Sequence, residues 1–241
     1  MDRPPKTIPA KPSASTLKQR MLRTLVCSDA SEQAARLRGA TQIAGVDEVG
    51  RGALFGPVVA AAVILPERME SLAEAGLTDS KQLTEKRREA LDARIRALAV
   101  CVSVAEVDAE TIDRVNIYQA TRLAMLAAVQ GLAVSPDHLL IDAMLIDHPC
   151  RQTRLIYGDC LSLSIAAASV VAKVYRDRLV RQYDALHPQY GLAAHKGYGT
   201  AMHKRALETY GPCPLHRRSF APVGAAWNAM ESETLEASTW A

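Results

Sequence analysis

The chain has no apolar run long enough to cross a membrane, and no basic segment leading into an apolar one of the signal-peptide kind. Cysteine is sparse and irregular. The five residues, at 27, 101, 150, 160 and 213, are odd in number and show no C-x-x-C spacing. This argues against a disulfide framework or structural zinc and for reduced thiols in a cytoplasmic protein. Excess charge is also small: the net value of +3 identifies no partner. No internal repeat, heptad or long apolar stripe demands a second copy, so a monomer is expected.

What is present is globular. A chain of 241 residues, 49% hydrophobic and 23% charged, can build one sizeable core with tails. Residues 1–15 carry four of the twelve prolines and should be disordered or extended. Residues 16–41 read as a helical extension, with Leu17, Met21, Leu25, Ala34, Ala35 and Leu37 spacing a helix over 16–38. The main domain spans 42–224, and 225–241 reads as a flexible tail in which Trp240 is incidental. No sliding-clamp peptide signature occurs there.

Strands fit 43–48, 57–65, 100–105, 138–141 and 154–157. Helices fit 84–98, with Leu91, Ile95 and Leu98 inward, then 108–114, and 117–132 with Leu123, Leu126, Ala127 and Leu132 inward. Lys86, Arg87, Arg88, Arg94 and Arg96 fall mostly off the apolar stripe of the first. Further helices fit 162–186, whose small residues suit close packing on a sheet, and 200–210. This succession predicts an α/β domain, a mixed sheet flanked by helices.

The run Ile43-Ala-Gly-Val-Asp47-Glu48-Val-Gly50-Arg51-Gly52 ends an apolar strand in two carboxylates and breaks on two glycines. Carboxylates at the mouth of a buried strand are costly unless paired, hydrogen-bonded or bound to a metal. The Gly-Arg-Gly turn offers backbone N–H groups and a guanidinium, which suit a phosphate. A plain solvated strand end is the alternative. Leu139-Leu140-Ile141-Asp142 and Leu155-Ile156-Tyr157-Gly158-Asp159 repeat the pattern of apolar strand and terminal acid. Four carboxylates brought to one sheet edge cannot all stay ionised without cations, and Mg2+ or Mn2+ fits oxygen donors of this kind. Adjacent strand residues point to opposite faces, so Asp47 and Glu48 can share one cluster only where the strand twists or ends.

These segments resemble the type 2 ribonuclease H family, ribonuclease HII. The resemblance is carried by residues 45–65, 79–87 (Asp-Ser-Lys-Gln-Leu-Thr-Glu-Lys-Arg), 139–142, 158–177, 188–200 and 216–223, in the family's order. It implies a ribonuclease H-like mixed β-sheet flanked by helices, with a small helical C-terminal part. It implies a metal-dependent endoribonuclease, using a two-metal-ion mechanism with Mn2+ or Mg2+. The substrates implied are RNA–DNA hybrids and duplex DNA containing single ribonucleotides, cut on the 5′ side to leave 3′-hydroxyl and 5′-phosphate ends. Asp47, Glu48, Asp142 and Asp159 would hold metal and carry catalysis. Gly50, Arg51 and Gly52 would read the ribose and its phosphate, and Tyr198 would stack on the sugar at the RNA–DNA junction, the alternative being a packing aromatic.

Other residues leave two readings open. Lys81 contacts a phosphate or is a solvated loop lysine, the first being favoured. Ser169 and Lys173, four apart on one helix face, contact substrate or, for Ser169, serve packing; Lys196 is a further substrate-binding candidate. His195, His203 and His216 suit backbone or phosphate contact, Arg217 and Arg218 a basic patch, and Asp113, Asp147 and Asp177 solvated or capping roles. Three residues depart from the family pattern: Tyr157 where a lysine is usual, Cys160 where serine is common, and Gly199 where proline is usual. The lost lysine bears on metal affinity. A type 3 ribonuclease H would need a long N-terminal platform domain, a non-catalytic binder would not need four acids, and other nucleases or transposases of this fold would lack the Gly-Arg-Gly and Lys-Gly-Tyr elements together.

Overall fold

The computed structural model describes residue 21 and residues 24–239. Five strands form one sheet: β1 (Ile43–Val49), β2 (Val58–Ile64), β3 (Cys101–Val107), β4 (His138–Asp142) and β5 (Arg151–Leu155), in the order β3-β2-β1-β4-β5. The first three pair antiparallel, while β4 and β5 join β1 in parallel. The helices are α1 (Ala30–Arg36), α2 (Glu70–Glu74), α3 (Glu85–Leu98), α4 (Ala109–Val115), α5 (Ile117–Gln130), α6 (Leu163–Leu186), α7 (Leu192–His195), α8 (Ala201–Tyr210) and α9 (Ala221–Thr239). The mixed sheet flanked by helices is therefore as expected.

Alternate residues of β2 explain the layering. Val59, Ala61 and Val63 pack with α3 and α6, while Val58, Ala60, Ala62 and Ile64 pack with α5. Both faces are buried, so a strand of Val and Ala without polar alternation is what the layers require. The small residues of α6 let it lie close to the sheet. A Cβ on Gly45 would collide with the Ser164 backbone, so glycine is needed at that crossing.

A buried carboxylate caps α6. Glu32 of α1 is fully buried, and its Oε1 accepts from Ser162 Oγ at 2.6 Å and from Ser164 N at 2.8 Å. Negative charge at a helix N-terminus is favourable, and here it satisfies an orphan N–H. Main-chain bonds from Ser28 N to Leu161 O and from Leu163 N to Ser28 O hold the same junction.

Several expectations need correction. Among the described residues the extension is helical at Met21 and over Ala30–Arg36; residues 24–27 are not helical, and residues 1–20, 22 and 23 lie outside the described residues. Strand β5 is Arg151–Leu155 rather than 154–157. It is the sheet's edge and carries polar residues, while Ile156 is exposed and Tyr157 turns left-handed at φ 59°. In α5 the buried face is Ala120, Thr121, Ala124, Met125, Ala128 and Val129, whereas Leu123 is exposed. Alanines allow close approach, and leucines on the neighbouring face blur the helical phase. Leu98 of α3 is likewise exposed. The segment expected to be a flexible tail is helical to Thr239. Asp113 starts that helix by accepting from the N–H groups of Arg218 and Ser219, and Val223 is buried beside Leu54 and Leu207.

The three histidines of the C-terminal part contact backbone and one another rather than solvent. The carbonyl of Tyr198 can only accept, so His203 Nδ1 carries a proton and donates to it at 3.1 Å. Cys213 N–H donates to His216 Nδ1 at 3.0 Å, which puts the His216 proton on Nε2, 3.1 Å from His203 Nε2. His195 bonds the Tyr190 carbonyl and accepts from Gly197 N. Burial pushes His203 down to about 4 and His216 down to about 3. Both are neutral when folded and would be protonated when unfolded below about pH 6.5. Their stabilisation is thus complete above about pH 6.5 and is lost as pH falls toward about 4 and about 3. Each such proton contributes a slope of about 1.4 kcal/mol per pH unit. On going from pH 7 to pH 5, urea unfolding should show the parent losing stability relative to His203→Asn.

Candidate active site

The parallel pairing of β1 with β4 stops at Val46 and Ile141, so the next residues, Asp47 and Asp142, emerge side by side. Glu48 follows on β1, which remains paired to β2 through Val49 and ends there, with Gly50 at φ 90°. Asp159 arrives from the other side, on a 3-10 turn (Gly158–Cys160) after β5. Gly158 N donates to Asp142 Oδ1 at 2.7 Å, tying that turn to β4. A Cβ on Gly158 would press on Ile165 and stand 3.3 Å from the same carboxylate oxygen. The left-handed backbone of Tyr157 sets up this turn.

Asp47 is 4% and Asp159 is 5% exposed. All four carboxyls are raised above their ordinary values, burial being the first cause at each. Asp47 is raised further by Glu48, Asp142 and Asp159, and lowered by a hydrogen bond from Ser169. Arg51 partly offsets the shift at Glu48, with Nη1 3.4 Å from Oε1. Asp159 is pushed up to about 6 by burial and then by Asp79.

As placed, no three His, Cys, Asp or Glu side chains among the described residues surround a common point. Each acid has a local partner instead: Glu48 N for Asp47, Arg51 for Glu48, Gly158 N for Asp142 and Lys81 for Asp159. The donor set is nevertheless that of a hard divalent cation, all carboxylate oxygen and short of positive charge. Side-chain rotation would be needed to close it.

A cleft of about 460 Å³ adjoins these acids, bounded by Glu48, the Gly50–Gly52 turn, Lys81, Ser169, Lys173 and Tyr198. The Tyr198 ring packs over Gly52, where a Cβ would sit 3.9 Å from Cε1, and Tyr198 bridges Ala53 through the backbone. Lys81 Nζ is 3.5 Å from Asp159 and 3.9 Å from Asp79 on a side chain that is mostly exposed. Ser169 bonds Ser80 Oγ at 2.9 Å and also Asp47, so it links α6 to both flanks of the site. A larger groove of about 610 Å³, lined by Leu207, Tyr210, Ala226 and Met230 among others, lies between α8 and α9 and contains none of the acids.

Other expected residues are placed differently. Lys196 lies outside the cleft lining, with Nζ on the Ala193 carbonyl at 2.7 Å. Lys173 reaches the cleft but donates to Asp177 at 2.7 Å. Asp177 is not solvated: it is buried between Lys173 and Arg88, and Arg88 also holds the carbonyls of Ser80 and Leu83. Arg217 is fully buried, leaving only Arg218 of that pair at the surface. Asp147 is exposed and Asp113 caps, as expected. Cys160 is buried, its thiol pushed up to about 12 by burial and then by Asp159.

Asp79 is the residue the sequence reading passed over. It is buried, its carboxylate accepts from Lys81 N at 2.9 Å, and its charge raises Asp142 and Asp159. The Asp-Ser-Lys run carries the signal, an Asx turn presenting the lysine.

Because burial and then mutual repulsion disfavour charge on these acids, folded-state ionisation is penalised. Stability is complete below the unfolded value near 3.8 and is lost as pH rises through the raised folded value of Asp47. In EDTA at pH 7, Asp47→Asn should therefore melt higher than the parent by about 2–4 °C, as expected for ~1 kcal/mol in a chain of this size. Mg2+ or Mn2+ should narrow or reverse that gap in paired thermal melts.

The model of the family described as Ribonuclease HII matches residues 44–223. A Ribonuclease HII of Koribacter versatilis is 54% identical over 211 residues, covering 88% of this chain and 82% of that one. Among solved structures, the ribonuclease H2 of Pyrococcus horikoshii OT3 aligns with a TM-score of 0.69 at 24% identity, covering 79% of this chain and 99% of that one. Bst-RNase HIII in complex with Mn2+ aligns at 0.63 and 24%, covering 83% and 74%. These two support the fold. Sequence and fold together make the chain a member of the ribonuclease HII family, a ribonuclease H endonuclease acting on RNA–DNA hybrids.

Proposed function

We propose that the protein, besides cleaving the RNA strand of hybrids, incises 5′ of single ribonucleotides embedded in duplex DNA and leaves 3′-hydroxyl and 5′-phosphate ends. One observation carries this reading: Asp47, Asp142 and Asp159, from the ends of β1 and β4 and the turn after β5, lie close enough to raise one another, and Glu48 beside them lines a cleft with the Gly50–Gly52 turn and the Tyr198 ring. Asp47, Glu48, Asp142 and Asp159 would hold divalent metal, Mn2+ or Mg2+. A bound divalent ion offsets their repulsion, lowers the pKa of water and neutralises charge on a phosphodiester.

The remaining groups bind and orient. Gly52, without a Cβ beside the Tyr198 ring, lets a nucleic-acid backbone approach, Gly50 shapes the turn at φ 90° over Arg176, and Arg51 offers a guanidinium to phosphate. Lys81, mostly exposed and next to Asp159, is a second phosphate contact. The 2′-hydroxyl is the group that separates RNA from DNA, and the Gly-Arg-Gly main chain is suited to bonding it. Tyr198, 37% exposed above Gly52, presents a face to the sugar beyond. Ser169 acts here through Asp47 rather than on substrate, and Lys173 lies at the cleft wall as a paired cation.

Asp47→Asn should reduce cleavage by at least about a hundredfold, since changes one shell further out at metal sites already cost about 10–100-fold. The assay is incision of duplex DNA carrying one ribonucleotide, with Mg2+, Mn2+ or EDTA, beside an all-DNA duplex. Metal-dependent cutting 5′ of the ribonucleotide alone is expected. An intact duplex with either metal would overturn the proposal. In the same assay Tyr198→Ala should lose turnover on the single ribonucleotide far more than it loses binding.

A further inference from the structure

Two arginines, Arg176 and Arg217, are each 0% exposed. Burying a guanidinium is expensive unless its donors are satisfied. Their hydrogen bonds go to main-chain carbonyls rather than to carboxylates. Arg176 donates from Nε to Pro57 O (3.2 Å), from Nη1 to Lys196 O (2.9 Å) and from Nη2 to Phe55 O (3.1 Å). Arg217 donates from Nε to Gly56 O and from Nη1 to Arg51 O, both at 2.9 Å. Its Nη2 is buried without a hydrogen-bond partner among the described residues.

The bonded carbonyls belong to two segments that meet in the cleft. One is the turn containing Arg51 and the loop that follows it; the other is the loop Lys196–Tyr198. Arg176 lies directly beneath both. A Cβ on Gly50 would collide with its guanidinium, which also stands 5.7 Å from the Tyr198 ring centre. Lys196, whose carbonyl it holds, adopts a left-handed backbone at φ 53° and is followed by Gly197 at φ 79°. A non-glycine residue persists in that conformation only when its surroundings determine it. Main-chain contact already links the segments, through Leu54 N to Gly197 O at 2.8 Å. Arg176 adds bonds to both segments, and Arg217 adds two within the first.

We propose that Arg176 and Arg217 are positioning residues for ribonucleotide recognition: the Arg176 guanidinium fixes the spacing between the Gly50–Gly52 turn and the Tyr198 ring by bonding both segments, and Arg217 holds the first of them in shape. This rests on the reading that Tyr198 stacks on the sugar at the junction. A long hybrid offers many registers in which a loosened cleft still finds a cleavable bond. A single ribonucleotide offers one, so it is the substrate that requires the spacing. Lysine keeps the charge but replaces a planar fork by a point donor, and does not reproduce the divergent bonds to three carbonyls at Arg176 or to two at Arg217.

The test compares Arg176→Lys, Arg217→Lys and Tyr198→Ala on a single-ribonucleotide duplex and on a long hybrid. For a folded lysine variant, kcat on the single ribonucleotide should fall about 10–100-fold with KM nearly unchanged, the scale of an ångström-level misplacement. Cleavage of the long hybrid should fall much less, with the same Mn2+ activation midpoint as the parent. A purely structural role would lower both substrates together, and that result overturns the proposal. So does an unchanged substrate ratio in the lysine variants when Tyr198→Ala lowers it. If Tyr198→Ala itself leaves the ratio intact, the stacking reading has failed and the positioning role falls with it. Thermal melts identify the folded variants. One folded variant suffices for the comparison, and unfolding of both at the assay temperature would overturn the proposal in favour of a structural role.

Discussion

Asp47 and Asp142 are neighbours because two parallel strands stop pairing one residue before their carboxylates. From that alignment comes a buried concentration of negative charge, joined by Glu48 from the same strand, Asp159 from the next turn and Asp79 from beyond the sheet. Much of the surrounding structure answers it. Main-chain N–H groups take one oxygen each of Asp47 and Asp142, Arg51 and Lys81 stand beside the outer acids, and Ser169 reaches Asp47 from α6. These contacts do not neutralise the cluster, and burial, with the remaining repulsion, holds its carboxyls above their ordinary values. The chemistry and the packing strain have one source.

How far the sequence revealed this depends on whether a residue's role is local. Strand-end acids were legible because an apolar run followed by a carboxylate has few cheap explanations. The Gly-Arg-Gly turn was legible because glycine on both sides of a cation leaves little else to say. Strand β2 was readable from Val and Ala alone, but β5 was displaced because an edge strand need not be apolar. The inward face of α5 was misjudged because alanines, not leucines, face the sheet there.

Long-range partners were not legible at all. Arg176, Arg217 and Asp177 look in sequence like solvated charges, and their burial follows only from where the loops around residues 51–57, 80–83 and 196 pass. The histidines gave a partial signal. Backbone contact was foreseeable, whereas the pairing of His203 with His216 depends on α8 and the strand-like contact of Phe55 with His216 coming together. Asp79 was hidden by its lysine neighbour, which drew the phosphate reading to itself.

Glu32 has a consequence for where this protein begins as a physical object. The stretch shared with relatives through the family model starts at residue 44, yet the charge seated on the first turn of α6 comes from residue 32, and Ser28 is stitched to Leu161 and Leu163. That first turn leads directly out of the loop bearing Asp159. The family model and the folded unit therefore have different boundaries in this chain. A piece cut to residues 44–223 would leave the N–H of Ser164 and the hydroxyl of Ser162 without the acceptor that now meets both, at the start of the 24-residue helix α6.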